Sequence, residues 1–109
     1  MTQTAGIDWN SAEKKVAEAA LKKAYSREVE ALISGVRAQA QAICLLEDVW
    51  QLHDFLSARR HEIDGKYDSE ESSLVFTLSQ LIKDGWLNLS ELEGLDSSKR
   101  AKVSVLTRM

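Results

Sequence analysis

Proline is absent from this chain, glycine occurs five times and cysteine once, and each scarcity removes a class of architecture. Without proline and with little glycine, a backbone rich in Ala, Leu, Glu, Lys and Gln has few punctuation points and a strong preference for helix, so an all-α fold is expected. The lone Cys44 cannot close an intramolecular disulfide. No apolar run approaches the ~20 residues that a membrane-spanning helix needs, which argues against membrane insertion. Lys and Arg number 14 against 17 Asp and Glu, for a formal net charge of -3. Because the two signs are interleaved, no basic field exists to hold a phosphate backbone, and nucleic acid is excluded as a partner class. The opening MTQTAGIDWNSAEKK lacks the charged and apolar sections of a signal peptide. A soluble protein in the reducing cytoplasm is the default expectation.

What is present reads as a succession of helix caps. A chain of 109 residues amounts to one domain, and it buries only about two thirds of its unfolded surface. Residues 1 to 9 are expected as a loose leader, with Trp9 placed to staple the helix that follows. Asn10 and Glu13 match a capping box. From there the chain runs without a strong break to Cys44, about 34 residues or ~50 Å of helix. Leu21, Tyr25, Leu32, Val36 and Ile43 are spaced like a seam against a neighbouring helix, and the alanines between them permit close approach. A turn at Leu45 to Asp48 introduces a central helix, which Gly65 is expected to end in a left-handed cap. Residues 10 to 67 thus form a long antiparallel two-helix stalk.

Residues 68 to 109 are expected as a small helical head of the same single domain. Asp68 with Glu71 reads as another capping box, opening a helix that carries Leu74, Leu78, Leu81 and Ile82 on one face and stops at Gly85. Asn88 with Glu91 opens a short helix bearing Leu89 and Leu92. Asp96 or Ser97 caps the last helix, which runs to about Thr107 with Val103 and Leu106 inward. Trp86 and Leu87 fill the centre.

The central helix, DVWQLHDFLSARRHEIDGKYD over residues 48 to 68, has two faces of different chemistry. At ~100° per residue, Val49, Leu52, Leu56, Ile63 and Tyr67 gather on one side, with Arg59 among them and expected to snorkel outward over Leu56 and Ile63. Trp50, His53, Asp54, Ser57, His61 and Asp64 gather on the other, with Arg60 at the border. His53, Asp54 and His61 suggest acid and base catalysis, yet His53 and Asp54 are adjacent and their side chains diverge on a helix. No nucleophile stands in a suitable context nearby, and no catalytic residues are assigned. A metal site is excluded, since His53 and His61 are eight residues apart whereas helical zinc pairs need three or four. Arg60 and Asp64 form an i,i+4 pair, and Cys44 reads as an inert, partly buried side chain. Trp50 is left over: a tryptophan flanked by His, Asp and Arg, on the side the local core does not need, has the composition of an interface anchor. It suits a second copy of the chain or a partner, and the residues do not separate the two.

The run W-x-L-H-D-F-L-S-A-x-R-H-E-I-D-G-K-Y-D from Trp50 to Asp68 closely resembles the fluorescence recovery proteins of cyanobacteria. So do the length, A-Y-x-R-E at Ala24 to Glu28, and the position of Phe76. Val49, where that family suggests a larger leucine, is a conservative departure. The resemblance implies an all-helical homodimer, joined through the stalk, that binds the orange carotenoid protein, chiefly its C-terminal domain. It would speed return of the photoactivated red form to the orange form and so end quenching of phycobilisome fluorescence. The implied setting is the cytoplasmic face of the thylakoid. No cofactor is implied, the chromophore being the partner's. Trp50, His53, Asp54 and Arg60 would lie on the face on which dimerisation and activity depend, Val49 and Ser57 would join them in the dimer interface, and Phe76 and Lys102 would lie in the head near the partner's contact. The competing expectation is a dimeric helical adaptor that docks to another regulatory protein and leaves the photocycle untouched.

Overall fold

The computed structural model describes residues 8–109 of the chain. It is all-α, as the composition demands: α1 spans Ser11–Gln41, α2 Leu46–Lys66, α3 Glu71–Lys83 and α4 Ser97–Thr107, with a 3-10 turn over Leu89–Leu92 between the last two. The described residues contain no strand, and they extend over 58 × 25 × 25 Å.

Three of the expected N-terminal caps form as read. The Glu13 amide donates to Asn10 Oδ1 at 2.8 Å and the Asn10 amide to Glu13 Oε1 at 3.4 Å, opening α1. Asn88 and Glu91 make the same reciprocal box at the 3-10 turn. Asp96 Oδ1 accepts from the Lys99 amide at 2.9 Å, starting α4. Gly85, with φ of 90°, ends α3 by letting Trp86 donate back to the Leu81 carbonyl at 2.9 Å, a left-handed cap that a side chain would strain.

Other expectations are corrected. The leader was expected to reach residue 9, but Trp9 is buried in the core; residues 1 to 7 lie outside the described residues. Gly65 falls inside α2, whose C-cap is Tyr67 at φ of -95°, so no left-handed residue is needed there. Asp68 does not cap α3: its carboxylate is occupied by the Glu70 amide at 3.0 Å, and the helix starts after Glu70 instead. α1 continues through Gly35 and stops at Gln41. Cys44, expected to be partly buried, is exposed at the α1–α2 turn.

The core lies at one end. Ala17, Ala20, Leu21 and Ala24 of α1 pack with Leu74, Leu78 and Leu81 of α3, with Leu87, Leu92 and Leu95 of the connecting segments, and with Val103 of α4. Small residues on α1 allow this approach, and Gly94 carries it furthest: a β-carbon there would collide with the Val16 side chain. A buried ion pair closes the base, with Lys99 Nζ 3.1 and 3.2 Å from the Glu13 oxygens and 5.2 Å from the Trp9 ring centre. Burial alone would raise the Glu13 pKa, but bonds from the Asp96 and Asn10 amides and from Lys99 outweigh it and hold the carboxyl below its usual range.

Candidate interaction surfaces

α2 contributes no buried residue. Its start is fixed by Asp48, whose Oδ2 accepts from the Cys44 and Leu45 amides, both at 3.0 Å; those two bonds hold its carboxyl below the usual range. Its far end returns to α1, where Tyr67 and Lys66 meet Glu28. The side turned to α1 carries Leu52, Phe55 and Ile63, each half-buried. Val49 and Leu56, expected in this stripe, are 39% and 38% exposed. The inward stripe is rotated toward Phe55, which the expected pattern omitted; Val49 and Leu56 sit on its flank, next to the Trp50 side. Arg59 does not lie over Leu56: its guanidinium sits 5.6 Å from the Phe55 ring centre and bonds Glu62 at 2.7 Å.

The outward side of α2 brings together the residues singled out from the sequence. Trp50 is 55% exposed and meets the His53 ring edge-on at 6.4 Å. His53 Nδ1 lies 3.3 Å from Asp54 Oδ1, so the expectation that these neighbours diverge is overturned: both side chains are free in solvent and bend toward one another. Arg60 Nε stands 3.8 Å from Asp64 Oδ2, an i,i+4 pair too exposed to stabilise the helix much. Ser57 and His61 are exposed beside them. With Leu46, Val49 and Leu56 also exposed, the surface mixes apolar and polar, hydrogen-bonding side chains. No group of three or more His, Cys, Asp or Glu among the described residues is arranged to hold a metal ion.

Phe76 and Lys102 lie elsewhere, on α3 and α4, and share one groove. It has a volume of about 490 Å³ and is lined by Ser72, Val75, Phe76, Ala101, Lys102, Val105 and Leu106. Phe76 is 68% exposed although its neighbours Val75 and Thr77 are buried. The sequence pattern assigned the two residues to the head but did not bring in Val105, whose exposure gives the groove its second apolar wall.

Between the two surfaces stands a polar junction that the sequence reading did not anticipate. Arg27 donates two bonds of 2.8 Å to the Glu91 carboxylate and one of 2.9 Å to the Trp86 carbonyl. The Arg27 guanidinium and the Asn88 amide lower the Glu91 pKa to about 2. Glu28 is buried and accepts from the Tyr67 hydroxyl at 2.6 Å and from Lys66 Nζ at 2.8 Å. Burial and the facing Glu28 carboxylate push the Tyr67 hydroxyl well above its ordinary pKa. Each of these partners lies in a distant part of the chain, so no local pattern could reveal the pairs; A-Y-x-R-E at Ala24 to Glu28 was the available signal.

Comparison with known proteins places the chain. Residues 9–107 match the sequence model of the family described as photoprotection regulator, fluorescence recovery protein. The fluorescence recovery protein of Synechocystis sp. strain PCC 6803 is 47% identical over 109 residues, covering 100% of both chains. The solved structure of the Fremyella diplosiphon fluorescence recovery protein superposes with a TM-score of 0.91 at 57% identity, covering 94% of this chain and 100% of that one. The Synechocystis protein superposes with a TM-score of 0.91 at 46% identity over the same shares, and its R60K variant has the same TM-score at 45% identity. With the family matched over nearly the whole length and the fold shared at this identity, the chain belongs to the fluorescence recovery protein family of photoprotection regulators.

Proposed function

We infer that this protein is a homodimer that binds the photoactivated red form of the orange carotenoid protein, mainly at its C-terminal domain, and accelerates its return to the orange form, ending phycobilisome quenching. The observation that carries this reading is the unsupported hairpin. From residue 29 to residue 66 no residue is buried within the chain, yet Ile33, Leu46, Val49, Trp50 and Leu56 are exposed there. Apolar surface of this kind on an ordered helix pair is covered by another chain, and a second copy is the usual cover. The hairpin is then a stalk, the α3–α4 unit a head, and Val49, Trp50, His53, Asp54, Ser57 and Arg60 the contact between copies. The groove of Phe76 and Lys102 is left open for the carotenoid protein.

The rate effect needs no covalent chemistry and no cofactor. Accelerating a conformational reversion requires binding its transition state more tightly than the red state, by about 1.4 kcal/mol per tenfold in rate. A scaffold that holds a separated domain and guides its re-docking supplies this. No described helix is long and apolar enough to cross a membrane, which fits action at the cytoplasmic face of the thylakoid, where phycobilisomes sit. The test is recovery of the orange absorption after illumination, with and without this protein at several-fold excess. Faster recovery is expected, and an unchanged rate would overturn the reading.

A further inference from the structure

The hairpin turns one face away from the head, and both of its helices build that face. On α1, the exposed Ile33 lies ~180° around the axis from Ala24, which is buried in the core. On α2, Arg59 and Glu62 line a cleft against Gln80, Asp84 and Trp86 of the head. Val49 and Leu56 stand ~140° and ~120° around from Glu62, and both are exposed. Two features of opposite shape mark the ends of this face. At the tip, Leu45 and Leu46 project with 68% and 67% of their surface exposed, next to the exposed Glu47. Near the head, Leu21, Lys22, Tyr25 and Tyr67 line a shallow hollow of about 230 Å³, its two tyrosine rings edge-on at 5.3 Å. Lys22 lies within ~20° of Ile33 around α1, which puts the hollow on the same face. An apolar knob beside an acid and an apolar hollow rimmed by a cation complement one another, yet ~30 Å of α2 separates them, so one chain cannot join them. A two-fold axis can, because it lays each end of one copy over the opposite end of the other. Midway between Leu46 and Tyr67 is the level of Leu56 and Ser57, within the contact between copies proposed above.

We propose that the hollow of Leu21, Lys22, Tyr25 and Tyr67 is the socket for the hairpin tip of a second copy, with Leu46 set against the two tyrosines and Glu47 beside Lys22. The inference rests on the homodimer proposed above and adds α1 to its interface. Each copy offers one tip and one socket, so the contact forms twice and closes on itself. It also fixes the register, which a pair of α2 helices with apolar residues spread around the axis leaves open. Burial of leucine and tyrosine surface carries the contact; an exposed pair such as Glu47 with Lys22 adds little.

The test is disulfide trapping in the full chain. Within one copy Cys44 and position 22 are ~33 Å apart along the hairpin, far beyond the ~7 Å between α-carbons that a disulfide can span, so a bond between them joins two copies. Lys22→Cys, together with the native Cys44 exposed at the tip, is expected to give a covalent dimer on mild oxidation, read on a non-reducing gel. The parent, Lys22→Cys combined with Cys44→Ser, and Glu93→Cys in the exposed loop before α4 should give none. By sedimentation, Leu46→Ser should raise the dimer dissociation constant about fivefold or more. Leu89→Ser, at an exposed leucine of the head, should leave it within about twofold. A dimeric Lys22→Cys protein that does not cross-link overturns the proposal. So does a covalent dimer that forms as readily in any control, or an association unchanged by Leu46→Ser. A parent that sediments as a monomer overturns the homodimer itself, and the socket with it.

Discussion

The two halves of α1 are made of similar residues and have opposite surroundings. In the first half, Ala17, Ala20 and Ala24 are buried against α3 and the segments around it. In the second, Ala31, Ala38 and Ala40 are not buried, and Leu32 and Val36 are covered only in part. Alanine has the same intrinsic helix propensity in both halves, so the difference lies in the neighbours. The first half helps build a core; the second half and α2 form an ordered pair of helices with too little apolar contact to account for their order alone, since most helical stability comes from tertiary packing. One end of the molecule is packed from within the chain, and the other leaves Ile33, Leu46, Val49, Trp50 and Leu56 exposed.

That contrast can be broken in several places. The largest effect is expected at Leu78, fully buried at the centre of α3: Leu78→Ala should cost about 3 kcal/mol of global stability through lost contacts and a residual cavity, read by urea unfolding. A cost under about 1 kcal/mol would show that the core end is not the stable one. Trp50→Ala should weaken self-association or partner affinity by about 2 kcal/mol with helical content unchanged, measured by sedimentation and circular dichroism. Association and partner affinity both left intact would remove Trp50 from any interface. Leu56→Glu sharpens the corrected phase of α2. Because Leu56 is on the exposed flank rather than in the inward stripe, it should alter the fold by less than about 1 kcal/mol while reducing association; an unfolded variant would restore the original assignment of faces.

Acid should weaken the core end and the junction beside it. The Arg27 guanidinium and the Asn88 amide bring Glu91 from 4.5 to about 2, and the bonds from the Lys99 amide and Ser98 hydroxyl bring Asp96 from 3.8 to about 2. A carboxyl whose folded pKa is depressed stabilises the fold above its unfolded pKa and stops doing so as pH falls through the folded one. Thermal stability should therefore decline between about pH 4.5 and pH 2, and Glu91→Gln should flatten part of that decline; an unchanged slope would mean the Arg27–Glu91 contact adds little in solution. The smallest effect is expected for Cys44→Ser, below about 0.5 kcal/mol, because the thiol is exposed at the turn.

Legibility followed locality. Asn10 with Glu13, Asn88 with Glu91, Asp96 and Gly85 were readable because each cap is completed within a few residues of itself. Asp68 misled because a nearer amide, that of Glu70, took its carboxylate. α3 was legible in its main stripe, since Leu74, Leu78 and Leu81 all lie in the core, although Ile82 of the expected face is only partly buried and Val75, outside it, is buried with them. α2 was legible as a helix but not in its phase, because a helix with no buried residue leaves its apolar residues spread around the axis and Phe55 competes with Leu56 for the inward side. Lys99 and Glu28, buried charges with partners far along the chain, looked like any solvated Lys or Glu. The central run and the family resemblance singled out Trp50, His53, Asp54 and Arg60, all of which are exposed on α2; the groove that joins Phe76 to Lys102 needed the packing of α3 on α4, which no local pattern encodes.

The collision that any side chain at Gly94 would make with Val16 reaches well beyond that contact. Val16 lies in the second turn of a helix of 31 residues, ~46 Å long at 1.5 Å per residue, so the contact acts at the short end of a lever. A tilt of about 5° at this seat displaces the far end of the helix, ~37 Å away, by about 3 Å. A hydrogen atom at position 94 thereby helps decide where Cys44 and the start of α2 are found in space, and a larger residue there would have to be answered by a smaller one at position 16 to keep the aim.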